Sequence, residues 1–381
     1  MTLTTPEGAV LPVDETPDEA FRPGTVGLVG RGLVWVALGV ALLLPMLTVD
    51  FAQACSLAAI YAIVGLSLNI VVGYTGQLSL GHQGFLGLGA LVAANIVFKQ
   101  NVPFFVGLIG GVVAATVAAV VLGLVALRIT GLYLSLITLV FGTAIASSLF
   151  SLGSLTRNGS GVPANRPEVI HTNARYYLLC LLVMLVIFYL DTRLTASKTG
   201  RALLAIKENE RVAEAFGIGV TRYKLIAFGL SGAIAGLAGG LFAFRSQTYA
   251  AQDFTETGLS LALLFVVMVV VGGLGNRVGV VIAAAFFALL NYLLDKLFIS
   301  WHGFRHLVEH VPVLNGYYGP NKGALAGLIG AVLLLQTLIF NPGGIGESVA
   351  PIQRWLKGSR FSMHDTAHSG PAAVEGSHVR A

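Results

Sequence analysis

Ten apolar runs, each close to the thickness of a bilayer's hydrocarbon core, leave this chain little choice of fold. They fall at about 31–49, 52–73, 78–98, 104–127, 130–152, 175–191, 222–244, 258–275, 277–299 and 323–341. About 20 consecutive apolar residues let an α-helix cross the core, where every backbone N–H and C=O must be satisfied within the segment. The runs are continuous rather than alternating with period two, which excludes a membrane β-barrel. The pattern predicts an all-α integral membrane protein with about ten transmembrane helices.

Composition agrees. Only 11% of residues are charged, against roughly 25% in a soluble domain, too few to cover a water-exposed globule. The net charge of +5 is read as topological, marking one set of loops, and not as a nucleic-acid surface. Cys55 and Cys180 both sit in apolar runs, with no metal or redox spacing.

Charge also divides the chain. Residues 1–29 are polar and acidic, lack the basic start and short apolar core of a secretory signal, and read as a disordered cytoplasmic tail. Residues 30–345 form the transmembrane domain, and 346–381 a second cytoplasmic tail, whose histidines have no metal-ligand spacing. With both termini on one side, that side carries 15 of the 23 Lys and Arg residues and the other carries 8. The positive-inside rule makes the first side cytoplasmic. Two long loops on the outer side, 151–175 and 300–322, are rich in Gly, Pro and Asn, and Trp301 and Tyr317 read as interfacial anchors.

Small residues recur at helix-packing intervals. Gly232, Gly236 and Gly240 fall four apart, as do Gly323 and Gly327, which lets helix backbones approach closely in lipid. A faint internal echo links Val71–Gly76, "VVGYTG", with Val270–Gly275, "VVGGLG".

Against this background the stretch 197–225, "SKTGRALLAIKENERVAEAFGIGVTRYKL", is dense in charge. Its good helix formers, Ser197 or Thr199 as N-cap and Gly217 as C-cap predict a helix over 198–217. Ala202, Ile206, Ala213 and Phe216 share one face, and Glu208 and Arg211 are spaced to pair. The residues alone leave two readings open: a solvated connector on the headgroups, or a docking surface for a cytoplasmic partner. A second stretch, "GYTGQLSLGHQGFLGLG" (73–89), places Tyr74, Thr75, Gln77, Ser79, His82 and Gln83 among six glycines between two apolar runs. Irregular backbone at membrane depth belongs where it is buried or lines a wet cavity. It reads either as a tight inner turn or as part of a substrate pathway. His82 reads as a hydrogen-bonded structural residue or as a proton relay.

"GRALLAIKENERVAEAFGIGVTRYKLIAFGLSGAIAGLAGGLFA" resembles the cytoplasmic-loop signature of permease subunits from ATP-binding-cassette (ABC) importers for branched-chain amino acids, the LivM type. "LSLNIVVGYTGQLSLGHQGFLGLGALVAA" resembles that family's other hallmark. "LRITGLYLSLITLVFG", "VVMVVVGGLGNRVGVVIAAA" and the terminal "NPGGIGE" resemble further blocks in the expected order. The resemblance covers about 50–345. It implies an ABC importer permease bundle with broken helices and a cytoplasmic coupling helix. It also implies a second homologous permease as partner, two cytoplasmic ATP-binding-cassette ATPases, and an extracytoplasmic substrate-binding protein. ATP and Mg would be bound on the ATPases, with no cofactor on this chain. Arg201, Ile206, Glu208, Arg211, Glu214 and Phe216 become candidate ATPase-coupling residues, with Ile206 and Phe216 as anchors. Tyr74, Thr75, Gln77, Ser79 and His82 become candidates for the translocation pathway. Phe216, Gly219 and Gln83 depart from the family pattern.

No G-x-x-x-x-G-K-[ST] phosphate loop occurs, so the chain is read as a transport subunit without catalysis of its own. Asp50, Asp191 and Asp295 lie near the ends of predicted spans. Their positions disfavour an ion-coupled secondary transporter or channel, the rival of another class. Within the family, urea, short amides and other amino acids stand beside leucine, isoleucine and valine as cargo.

Overall fold

The computed structural model describes residues 42–126, 131–150, 152–158, 160–250, 258–300 and 343–349, with isolated positions 39, 254, 332 and 336. It is built from α1 (Val49–Thr75), α2 (His82–Gln100), α3 (Phe104–Ala126), α4 (Leu132–Ser148), α5 (Asn173–Ala196), α6 (Lys198–Glu208), α7 (Glu210–Ala215), α8 (Val220–Ser246), α9 (Gly258–Gly272) and α10 (Arg277–Ser300). Among the described residues, α1, α3, α5 and α8 are long and apolar enough to cross a membrane; parts of α4, α9 and α10 form shorter apolar helices. The last of the ten apolar runs lies almost wholly outside the described residues, as do Trp301, Tyr317, Gly323 and Gly327; of the first run, 31–49, only position 39 and residues 42–49 are described, and they include a short 3-10 turn, Leu44–Leu47.

α1 is the axis of the bundle. Its 27 residues span about 40 Å at the usual helical rise, and every residue from 58 to 75 is buried. A helix apolar on all sides belongs in such a core. α3 is two-faced in a different way. Phe105, Ile109, Val113, Val117, Val121 and Val125 are exposed at every fourth position, while Leu108, Ala115, Ala119 and Leu122 are buried. An exposed stripe that is entirely apolar faces lipid rather than water.

The glycine face of α8 packs on α3, as its spacing predicts. A β-carbon added at Gly236 would stand 2.8 Å from the Gly111 carbonyl oxygen, and one at Gly232 would stand 2.9 Å from that of Ala115. Gly89 of α2 meets the Gly236 backbone from the other side. Three backbones approach here at distances that no side chain would permit.

At one end of the bundle the loop before α5 is tied down by a two-residue ribbon. β1 (Val162–Pro163) pairs antiparallel with β2 (Thr248–Tyr249). Buried Arg166 donates from Nε to the Phe244 carbonyl at 2.7 Å and from Nη1 to Asn173 Oδ1 at 2.8 Å. Its guanidinium also lies 4.0 Å from the centroid of the Tyr176 ring. A cation on the last carbonyls of α8 complements the negative end of that helix.

The two echo motifs meet at the opposite end. Asn69 Oδ1 accepts the Gly275 N–H at 2.9 Å, and a β-carbon at Gly73 would stand 2.7 Å from the Gly275 nitrogen. The glycines of the chain-terminal motif press on the same turn, with Gly344 against Gly273 and Gly346 against Asn276.

Candidate coupling and translocation site

The charged segment joins directly to α5. Only Ser197 separates α5 from α6, and its Oγ accepts the Gly200 N–H at 3.2 Å as a helix N-cap. Gly200 fits against the Leu194 carbonyl and Thr195, so the turn is tight. The predicted single helix over 198–217 is instead two. Asn209 leaves helical geometry, and its Oδ1 accepts the N–H groups of Arg211 and Val212 at 3.0 and 3.2 Å. Asparagine is among the strongest N-cap residues, and here its side chain starts a new helix inside the run. Gly217 closes α7 at φ 80°, the left-handed cap its position predicts.

The apolar face of this segment divides. Ile206 is 1% exposed and packs with Ala213 and Val220 inside the chain. Phe216 is 82% exposed, beside exposed Val212. As candidate anchors the two are therefore not equivalent. Ile206 holds α6 to α7 and α8, and Phe216 is free to meet another surface. Arg201, Glu208, Arg211 and Glu214 are exposed. The segment's ion pair among the described residues is Lys224 Nζ to Glu210 Oε1, 2.6 Å, rather than Glu208 with Arg211. That pair ties α7 to α8.

The stretch 73–89 is a helix end followed by irregular, largely buried chain. α1 stops at Gly76, φ 70°, and the Thr75 hydroxyl donates to the Val71 carbonyl at 2.5 Å. The Leu80 N–H then donates to Thr138 Oγ1 of α4 at 2.9 Å. The five sequence-predicted pathway residues fall into separate groups. Tyr74 turns toward α5, where its hydroxyl donates to Asp191 Oδ2 at 2.7 Å. Ser79 and His82 turn toward α8. His82 Nδ1 is 3.2 Å from Ser79 Oγ, and Nε2 is 2.8 Å from Ser231 Oγ. Ser231 in turn donates to the Ser67 carbonyl at 2.9 Å. This chain of hydroxyls links α1, α2 and α8, so His82 is a hydrogen-bonded member of the core. Thr75 and Gln77 are also buried. Gln83 is buried with both amide atoms unpartnered against Gly142, at the position where its size departs from the resembled pattern.

Sequence reasoning did not find the cluster around Asp191. Asp191 is 3% exposed. Its Oδ2 lies 3.5 Å from Arg277 Nε, and Arg277 Nη2 donates to Thr195 Oγ1 at 2.8 Å. Tyr74, Asp191, Thr195 and Arg277 thereby join α1, α5 and the start of α10. The signal available was a single acid near a span end, with its basic partner 86 residues away in another motif.

A multi-pass helical membrane protein with a lipid-facing stripe, a glycine-packed interior and a polar seam at one end fits the class of transport permeases. The chain belongs to the family described as branched-chain amino acid transport system / permease component, which matches residues 51–312. It is 33% identical over 266 residues to the high-affinity branched-chain amino acid transport system permease protein LivM of Escherichia coli, covering 62% of this chain and 61% of that one. The match thus spans about three fifths of that relative's length. A probable branched-chain amino acid transport permease protein LivH of Methanocaldococcus jannaschii is 26% identical over 82% of this chain and 88% of its own. The ribose import permease protein RbsC of Escherichia coli is 27% identical over 77% and 81%. No solved structure matches the chain.

Proposed function

We propose that this chain is the membrane-spanning subunit of an ATP-driven importer for branched-chain amino acids. The observation that carries the reading is the family match together with an exposed two-helix segment, 198–217, that bears Phe216 and charges of both signs. Such a surface suits a protein partner better than headgroups, which favour a one-sidedly basic helix. The partner is an ABC-type ATPase, present twice and holding ATP and Mg. A second, homologous permease completes the bundle, and likeness to both LivM and LivH proteins supports such a pair. An extracytoplasmic binding protein delivers the substrate. The excess of Lys and Arg supports cytoplasmic termini and a cytoplasmic 198–217 segment.

The cargo is leucine, isoleucine or valine. Likeness to a ribose permease makes cargo the point to test. Vesicles holding this chain, its partner permease, the ATPases and the binding protein are expected to take up labelled leucine only with ATP. Unlabelled isoleucine and valine should compete, and ribose, urea and acetamide should not. Uptake by this chain alone under a pH gradient would instead identify a secondary transporter.

A further inference from the structure

The polar seam at the charged end has a geometry beyond simple packing. Asp191 and Thr195 lie in the last turns of α5, which runs into α6 with only Ser197 between them. Gly200 leaves no slack in that turn. Any displacement of α6 is therefore delivered to the part of α5 that holds Asp191. That carboxylate is shared by Tyr74, the penultimate residue of α1, and by Arg277, the first residue of α10. A second contact runs in parallel. The Lys207 stem lies 3.4 Å from where a β-carbon on Gly76 would stand, and its Nζ lies 4.0 Å from the same point on Gly275. Beyond Gly76 the chain continues through 77–81, where Gln77, Ser79 and Gly81 are buried and Leu78 is exposed, to His82.

We propose that Asp191, held by Tyr74 and Arg277, is the positioning residue that transmits movement of the docking segment to the ends of α1 and α10. This rests on the importer reading above. The acid is buried and Arg277 only partly so, and a buried charge in a membrane bundle is costly and marks function more often than stability. Coupling between sites needs a contiguous physical connection, and here one carboxylate connects the docking segment to the irregular stretch after α1. Gly73, Gly76 and Gly275 let the end of α1 approach the turn before α10 closely, with Asn69 Oδ1 and the Lys207 stem as the side chains between them. The carboxylate fixes the register in which the two meet.

The test uses the complete complex in vesicles, measuring ATP hydrolysis and leucine uptake in the same sample. Tyr74→Phe removes one hydroxyl, and Asp191→Asn keeps an acceptor while removing the charge. Both variants are expected to assemble with the ATPases and hydrolyse ATP at near wild-type rates. Leucine moved per ATP should fall about tenfold, the effect of losing one hydrogen bond to a charged group in one of two states. Unchanged leucine per ATP in both variants would overturn the inference. So would failed assembly of Asp191→Asn combined with full coupling in Tyr74→Phe, which would make the cluster purely structural. A wild-type complex that shows no ATP-dependent uptake would instead remove the importer reading.

Discussion

The Tyr74 hydroxyl donates a 2.7 Å hydrogen bond to Asp191 Oδ2 across 117 residues of sequence, fastening the end of α1 to the end of α5. Arg277 reaches the same oxygen from α10 at 3.5 Å. Truncating the acid would leave a phenol and a guanidinium without their shared acceptor. Asp191→Ala is expected to cost about 3 kcal/mol, and Tyr74→Phe about 1 kcal/mol. Thermal unfolding of the detergent-solubilised protein measures both; equal effects would show that the charge contributes nothing beyond the hydroxyl.

The glycine face of α8 makes a sharper prediction. A β-carbon at Gly236 meets Ala115 and the Gly111 carbonyl, and neither can move without separating α3 from α8. Gly236→Ala should lower stability by about 1–3 kcal/mol, and Gly236→Leu should prevent recovery of folded protein. Gly217, with nothing within 4 Å of its β-carbon position but φ 80°, is the contrast. Gly217→Asn should be tolerated, because asparagine accepts left-handed backbone. Size-exclusion profiles of the variants give the comparison.

His82 is engaged at both ring nitrogens by serine hydroxyls. As a core residue it should matter for stability and not for proton movement. His82→Gln is expected to lower the unfolding temperature while leaving the pH profile of uptake unchanged across about pH 5–8, the range in which histidines ordinarily titrate. A profile that flattens in the variant would identify a proton relay.

Much of this architecture was legible in the sequence because lipid imposes few solutions. Eight of the ten apolar runs coincide with described helices, and the Gly232/Gly236/Gly240 spacing signalled close helix packing, which the structure shows to be against α3. What was not legible depended on partners distant in sequence. Tyr74 was singled out for its polarity, but nothing local indicated that Asp191 and Arg277 would converge on it. The split at Asn209 was available locally, since an asparagine before Glu and Arg is a cap signal; the strong helix formers on either side concealed it. Periodicity put Ile206 and Phe216 on one face but could not say that the chain's own Val220 would cover the first and leave the second bare.

Sidedness is open to direct labelling. A cysteine at Glu210 should react only from the cytoplasm, and one at Asn158 only from outside. Asn158 lies in the loop tied to the Arg166 end, far along the bundle from the Lys207 seam. Reaction of both from one side would overturn the proposed orientation.

The central claim is that segment 198–217 docks the ATPases, and Phe216 and Glu208 test it most directly. Both are exposed, so Phe216→Ala combined with Glu208→Lys should leave the permease folded. Ile206→Ala serves as the control for a buried residue and should destabilise the fold by about 2–5 kcal/mol. Burying a phenylalanine side chain contributes about 1.5–3 kcal/mol, so its loss alone weakens docking by one to two powers of ten, and the reversed charge adds repulsion. The measurement is copurification of the ATPases with the double variant, read beside ATP-driven leucine uptake. The account predicts that both are lost while the unfolding temperature is kept. Full ATPase binding and full uptake by the double variant would contradict it and leave the segment a solvated connector.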